Sequence, residues 1–154
     1  MISDTSPIIF FAKIKRFDLL KSLYGQIIIS KEVEDELLFG NKPDSELIKD
    51  AIKDGLIIVK SPLKNLNLSL GKGENSVINL ANELNQPLII DDSPGCKVAQ
   101  SLNIEILRTT SVIFSAVKEK LINKKQALEI INKIIDEGYY ISINYYKEIY
   151  NKLK

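Results

Sequence analysis

Short apolar runs rich in β-branched residues recur along the chain, each followed by a longer stretch of helical periodicity, and this alternation restricts the fold more than any other feature. The runs lie at residues 1–4, 26–29, 56–59, 87–90 and 104–107. They are too short for helices, and they carry no clean in/out alternation. Strands of that kind are buried on both faces, as in a parallel sheet covered by helices. The helical pattern fills the intervals at residues 7–24 (with a break near Lys15), 31–39, 44–53, 74–84, 94–102, 112–120 and 125–137, with a short last helix at 145–153. Gly25, Gly40, Gly55 and Gly138 fall just past or between these segments, where a left-handed C-cap is usual. The expectation is an α/β fold around a mainly parallel sheet of five strands.

The chain has 154 residues, of which 45% are hydrophobic, and it holds no linker, repeat or low-complexity tract. That predicts one domain over residues 1–154 with a substantial core. Residues 61–70 are the least structured stretch and are too short to separate two domains. The apolar run at 8–12 falls far short of the roughly 20 residues a membrane span needs. A lone Cys96 cannot close an internal disulfide. Together these predict a cytoplasmic protein with no membrane partner. A formal net charge of +1 gives no overall field toward nucleic acid, so phosphate binding would need local lysines or a metal.

Chemistry is narrowly bounded. The chain has no His and only one Cys, and neither a nucleophile-elbow serine motif nor a P-loop is present. Histidine acid/base catalysis, Ser-His-Asp triads and Cys-cluster zinc sites are thereby excluded. Hard oxygen ligands remain. Asp4 ends the first strand candidate and Asp91–Asp92 follow the fourth, so parallel pairing would carry all three to the carboxyl edge of the sheet, where open α/β folds bind ligands. Glu74 opens a helix just after Gly71 and Gly73, at the end of the macrodipole that favours an anion. The acidic segment 32–38 adds candidates on a helix, and spacing places Glu34 and Glu36 equally well beside the buried Val33 and Leu37. Carboxylates gathered at one point repel one another unless a divalent cation such as Mg²⁺ or Mn²⁺ lies between them.

Each of these residues also has an ordinary structural reading. Ser6–Pro7 and Ser93–Pro94 both look like an N-cap followed by a first helical residue, with Asp4 and Asp92 bracing the turn. Glu74 suits any helix N-terminus, and the acids of 32–38 suit a solvated face. Capping does not explain two adjacent aspartates after an apolar strand. Near the C-terminus, Tyr139, Tyr140, Tyr145, Tyr146 and Tyr150 interleave with isoleucines and predict packing or a protein interface rather than base stacking. Lys118, Lys120, Lys124 and Lys125 read as solvated helix ends.

The motifs Ser3-Asp4-Thr5-Ser6-Pro7, Glu36-Leu37-Leu38-Phe39-Gly40, Gly71-Lys72-Gly73-Glu74-Asn75 and Ile89-Ile90-Asp91-Asp92, the last followed by Gly95 and Lys97-Val98-Ala99, resemble the PIN-domain superfamily. The likeness extends to the ending Glu137-Gly138-Tyr139-Tyr140-Ile141-Ser142 and is nearest to a prokaryotic branch similar to VapC-type ribonuclease toxins. The resemblance implies a three-layer α/β/α fold and a Mg²⁺- or Mn²⁺-dependent centre that cleaves RNA. Position by position it makes Asp4, Glu36, Glu74 and Asp92 the four catalytic and metal-binding acids, choosing Glu36 over Glu34, with Asp91 an accessory ligand. Thr5, Ser6 and Lys97 would assist ligand or substrate. It further implies an antitoxin protein as partner, and dimerisation. This chain departs from the branch after the paired aspartates, where Ser93, Pro94 and Cys96 stand and only Lys97 is cationic. Arg16 and Arg108 are the only arginines, so bidentate phosphate recognition is sparse.

Rival functions on related folds fit less well. A phospho-receiver would need an acidic pair after the first strand and a phosphorylatable Asp after the third, where this chain has Lys60. A dehalogenase-like phosphatase needs a second Asp two residues beyond the first, where Ser6 stands. The stronger alternative is a noncatalytic RNA- or protein-binding module on the same fold.

Overall fold

The computed structural model describes residues 1–154. Five strands, β1 (Ile2–Ser3), β2 (Ile27–Ile29), β3 (Ile57–Val59), β4 (Leu88–Ile89) and β5 (Ile106–Leu107), form one sheet in the order β3-β2-β1-β4-β5, and every pair is parallel. All five fall inside the segments expected from the apolar runs. Ile27, Ile29, Leu88 and Ile89 are buried, as strands covered on both faces require.

Nine helices enclose the sheet in a three-layer α/β/α arrangement: α1 (Thr5–Lys13), α2 (Phe17–Tyr24), α3 (Lys31–Leu38), α4 (Ser45–Lys53), α5 (Lys72–Leu84), α6 (Ser93–Ser101), α7 (Thr109–Lys118), α8 (Lys124–Asp136) and α9 (Ile143–Leu153). They pack in two runs, α4–α3–α5–α6 and α2–α7–α8–α9, and α1 lies against α3. The expected break near Lys15 separates α1 from α2, with Lys15 itself in the left-handed region at φ 55°. Gly25, Gly40, Gly55 and Gly138 all have positive φ, as the C-cap reading required.

Helix starts differ from the sequence expectation in a consistent way. The first helix begins at Thr5, with Asp4 rather than Ser6 at the N-cap position, and α6 begins at Ser93 with Asp92 as its cap. The prolines therefore sit deeper than the first helical position. This is tolerated because the first turn of any helix has backbone N–H groups with no carbonyl partner, and a missing donor there costs little. In both places the strand runs straight into the helix, so the residue at the strand end becomes the cap.

The unstructured stretch 61–70 is held by side chains of α5. Asn75 Nδ2 donates to Leu66 O (2.9 Å) and Asn65 Oδ1 (3.1 Å), and its Oδ1 accepts from Leu68 N (2.6 Å). Asn79 Nδ2 donates to Leu66 O (2.8 Å) while its Oδ1 accepts from Leu66 N (3.2 Å). One helix turn thus supplies the hydrogen bonds that a strand partner would otherwise provide. Asn79→Ala is expected to leave the Leu66 amide short of its acceptor, cost about 1–3 kcal/mol, and speed tryptic cutting after Lys64. Denaturant melts and limited proteolysis check this; unchanged cutting at Lys64 would count against the strap.

Candidate metal centre

The order of strands fixes the place of the site. From β1 the chain steps outward through β2 to β3, then returns to pair β4 on the other side of β1, so the direction of winding reverses between β1 and β4. At such a reversal the flanking connections part and leave a crevice at the carboxyl ends of the strands. Asp4 follows β1 directly and Asp91–Asp92 follow β4. Asp4 N donates to Ile89 O at 2.9 Å, which locks the two strand ends side by side.

Asp4 is 2% exposed, and its Oδ1 is buried with no hydrogen-bond partner. Burial pushes its carboxyl up to about 7; the Thr5 backbone N–H opposes this, and the charges of Glu74, Glu36 and Asp92 add to the rise. Those three acids, from three different helices or helix caps, thus bear on one buried carboxylate. Asp92 is exposed, and its Oδ2 accepts from Gly95 N at 2.8 Å as the cap of α6. Gly95 is required there, because a Cβ would lie 2.7 Å from Ile90 Cδ1 and 3.1 Å from Asp92 Oδ2.

Glu36 projects from α3, accepts a hydrogen bond from Thr5 Oγ1, and lies over the first turn of α5. A Cβ on Gly73 would stand 2.7 and 2.8 Å from its two carboxylate oxygens. Gly73 is what allows the carboxylate to rest on that turn. Glu74, at the third position of α5, curls its carboxylate back over Gly71. A buried pair, Ser30 Oγ and Ser76 Oγ at 2.6 Å, ties the start of α3 to α5, and Ser76 Oγ also donates to Gly73 O (2.8 Å). These serines hold the helix carrying Glu36 against the one carrying Glu74. Neither has a sequence signature beyond Ser30 being a plausible cap, which it also is, accepting from Val33 N at 3.1 Å.

Asp91 is directed elsewhere. Its Oδ1 accepts from Thr109 N (3.0 Å) and Tyr139 O–H (2.9 Å), its Oδ2 from Thr109 Oγ1 (2.6 Å), and its carbonyl from Arg108 (3.0 Å). The carboxylate caps α7 and anchors the segment after α8, so three donors occupy the oxygens that an accessory ligand would have to offer. Tyr139 stacks edge-on with Phe10 at 5.2 Å, which confirms packing as its role; Tyr145 and Tyr146 likewise hydrogen-bond Thr110 and Asn132. Ser6 and Lys97 are exposed near the caps of α1 and α6, and Lys118, Lys120, Lys124 and Lys125 are exposed around the α7–α8 turn.

The donor set suits a hard divalent cation: only carboxylate oxygens, one of them buried and unmet. The positive ends of α1, α5 and α6 lie at Asp4, at Glu36 with Glu74, and at Asp92, and they offset part of the mutual repulsion. The acids are gathered without being closed into a cage, since no three of them stand as a ready ligand group. Glu36 and Glu74 reach the site by long side chains whose ends are held by Thr5 and by the Gly71 backbone, so rotation rather than refolding separates the present arrangement from a convergent one.

The whole chain, residues 1–154, matches a family model described as PIN domain. No curated protein matches it.

Two outcomes follow from this geometry. A carboxyl raised from its ordinary value to about 7 holds its proton longer in the folded state, so chelated protein should lose stability as pH rises from about 4 to 7, by at most about 4 kcal/mol. Asp4→Asn is expected to flatten that slope and to be the more stable protein at pH 8; parallel melting profiles of the two from pH 4 to 8 would rule it out. Gly73→Ala should preserve or slightly raise the melting temperature while displacing Glu36 and weakening Mn²⁺ binding by ~10–100-fold. Calorimetric titration with Mn²⁺ measures that split.

Proposed function

Because the chain belongs to the PIN-domain family, a nuclease-type fold, we propose that it is a metal-dependent ribonuclease in which Asp4, Asp92, Glu36 and Glu74 hold Mg²⁺ or Mn²⁺. The observation that carries the proposal is the buried, unpartnered Oδ1 of Asp4, set at the sheet's winding reversal and within the field of three further acids. A carboxylate in that position is otherwise a net cost to folding. Bound divalent ions lower the pKa of water, neutralise nonbridging phosphate oxygens and stabilise a departing ribose oxygen.

The protein's own groups supply position and selectivity. Asp4 and Asp92 are the rigid ligands, because each is fixed by a strand end and by the start of a helix. Glu36 and Glu74 sit on longer side chains and complete the shell or accept hydrogen bonds from the attacking water, orienting it in line with the leaving oxygen. Thr5 fixes Glu36, and Ser6 offers an exposed hydroxyl at the first turn of α1. Lys97 on α6 and Lys72 on α5 are exposed cations flanking the acids and can hold phosphates as point charges. Asp91 acts as a framework group, keeping the end of β4 in place. A small antitoxin protein and a dimeric nuclease form the cellular setting that the likeness to VapC-type toxins implies. No helix is long and apolar enough to cross a membrane.

Single-stranded RNA should be cleaved with Mn²⁺ or Mg²⁺ and not with chelator, and Asp4→Asn or Asp92→Asn should each lower the rate by roughly 100-fold or more, beyond the ~10–100-fold typical of groups that only support ligands. Mn²⁺ at about 100 times its Kd should stabilise the parent by about 2.7 kcal/mol and leave Asp4→Asn unchanged. RNA binding without cleavage, indifferent to metal and to Asp4→Asn, would instead establish a noncatalytic binding module.

A further inference from the structure

α3 carries Glu32, Asp35, Glu36 and Phe39 at the i, i+3, i+4, i+7 spacing that puts four side chains on one face. The helix buries its other face through Val33 and Leu37. The stripe therefore faces an open cleft of about 280 Å³, completed by Lys72 at the first residue of α5. A neighbouring cavity of about 540 Å³ shares Glu32, Asp35 and Lys72 and continues toward the strapped loop at Asn65 and Asn67. Since Glu36 lines the cleft, the groove starts at the acidic centre and leads away from it.

Its chemistry is uneven in a way that points to one kind of occupant. Phe39 is 79% exposed, which packing does not explain. Glu32 has a buried Oε2 with no hydrogen-bond partner, an acceptor left unmet at the cleft wall. Asp35 is already engaged by Lys31 at 3.1 Å, while Lys72 takes part in none of the molecule's ion pairs. Three carboxylates would repel a phosphate backbone laid along this stripe. A nucleobase carries no charge: its face stacks on an exposed aromatic ring, and its N–H edge donates to a carboxylate.

We infer that the cleft receives one unstacked base of the nucleic-acid substrate, with its face on Phe39, its donor edge on Glu32 and an adjoining phosphate at Lys72. This rests on the nuclease reading above and adds a base-selecting subsite to it. Guanine is the fitting base, because its N1–H and N2–H₂ present neighbouring donors to a single carboxylate, whereas adenine and cytosine present one amino group beside an acceptor and uracil a single imino donor.

The test uses the full chain carrying Asp4→Asn, so that binding is read without hydrolysis, and fluorescein-labelled heptauridine oligonucleotides with a central guanosine, inosine or adenosine. Fluorescence anisotropy should show guanosine bound about tenfold more tightly than adenosine, with inosine, which lacks the N2 amino group, between them. Adding Phe39→Ala should weaken guanosine binding about tenfold. Adding Glu32→Gln should abolish the guanosine preference, and both variants should melt with the parent because neither side chain belongs to the core. Equal affinities for the three oligonucleotides, a preference that survives Glu32→Gln, or indifference to Phe39→Ala overturns the subsite. So does cleft binding confined to a lysine- and arginine-rich peptide, which would give the stripe to a basic protein segment. Metal-dependent cleavage by the parent without base preference sinks the subsite and spares the nuclease; base-selective binding without any cleavage does the reverse.

Discussion

Parallel pairing of β1 with both β2 and β4 brings the carboxyl ends of all five strands to one edge of the sheet, and the chemistry of the molecule depends on that edge. Each strand is only two or three residues long, so little of its stability can come from the ladder itself. It comes from the single cluster of 34 buried apolar residues contributed by strands and helices together. Ile2 and Leu88 are paired in register and fully buried, and this fixes Asp4 beside the end of β4 with the rigidity of the core rather than of a surface loop.

Placing a carboxylate in such a setting sets local electrostatics against packing. Asp4 has almost no access to water, and three other acids bear on it. The fold answers with dipoles instead of cations. Neither arginine serves the acids: Arg16 forms a two-pronged pair with Asp18, and Arg108 holds a backbone carbonyl. Helix N-termini stand at the acids in their place, and they lower the repulsion without neutralising the negative charge that would attract a divalent ion. An arginine at the same spot would have quenched the site.

Much of this was legible in the sequence. The run Gln26-Ile27-Ile28-Ile29 and its counterparts announce buried strands because burial on both faces erases period-two alternation. The positions of Asp4 and Asp92 at the sheet edge followed from those strands. What local pattern could not supply were pairings made across long separations. Asp91 and Tyr139 are 48 residues apart, and nothing near either one says that the aspartate turns toward α7 and not toward the site. The exposed Phe39 and the buried Asn75 and Asn79 invert what hydropathy alone expects of each residue type. Helix starts moved by two or three residues because caps obey backbone direction at the strand exit, whereas the Ser-Pro signal reports only local preference.

Asp91 and Asp92 are neighbours with opposite employment: the first is absorbed by three donors from the framework, and the second faces outward. In extended backbone successive side chains point to opposite sides. A deletion or insertion of one residue anywhere in β4 would therefore exchange their duties, sending the anchor into solvent and the outward acid into the threonine and tyrosine hydroxyls. The length of that strand and the reactivity of the cleft are consequently a joint inheritance, and indels are far less admissible there than in the hydrated turn between α7 and α8.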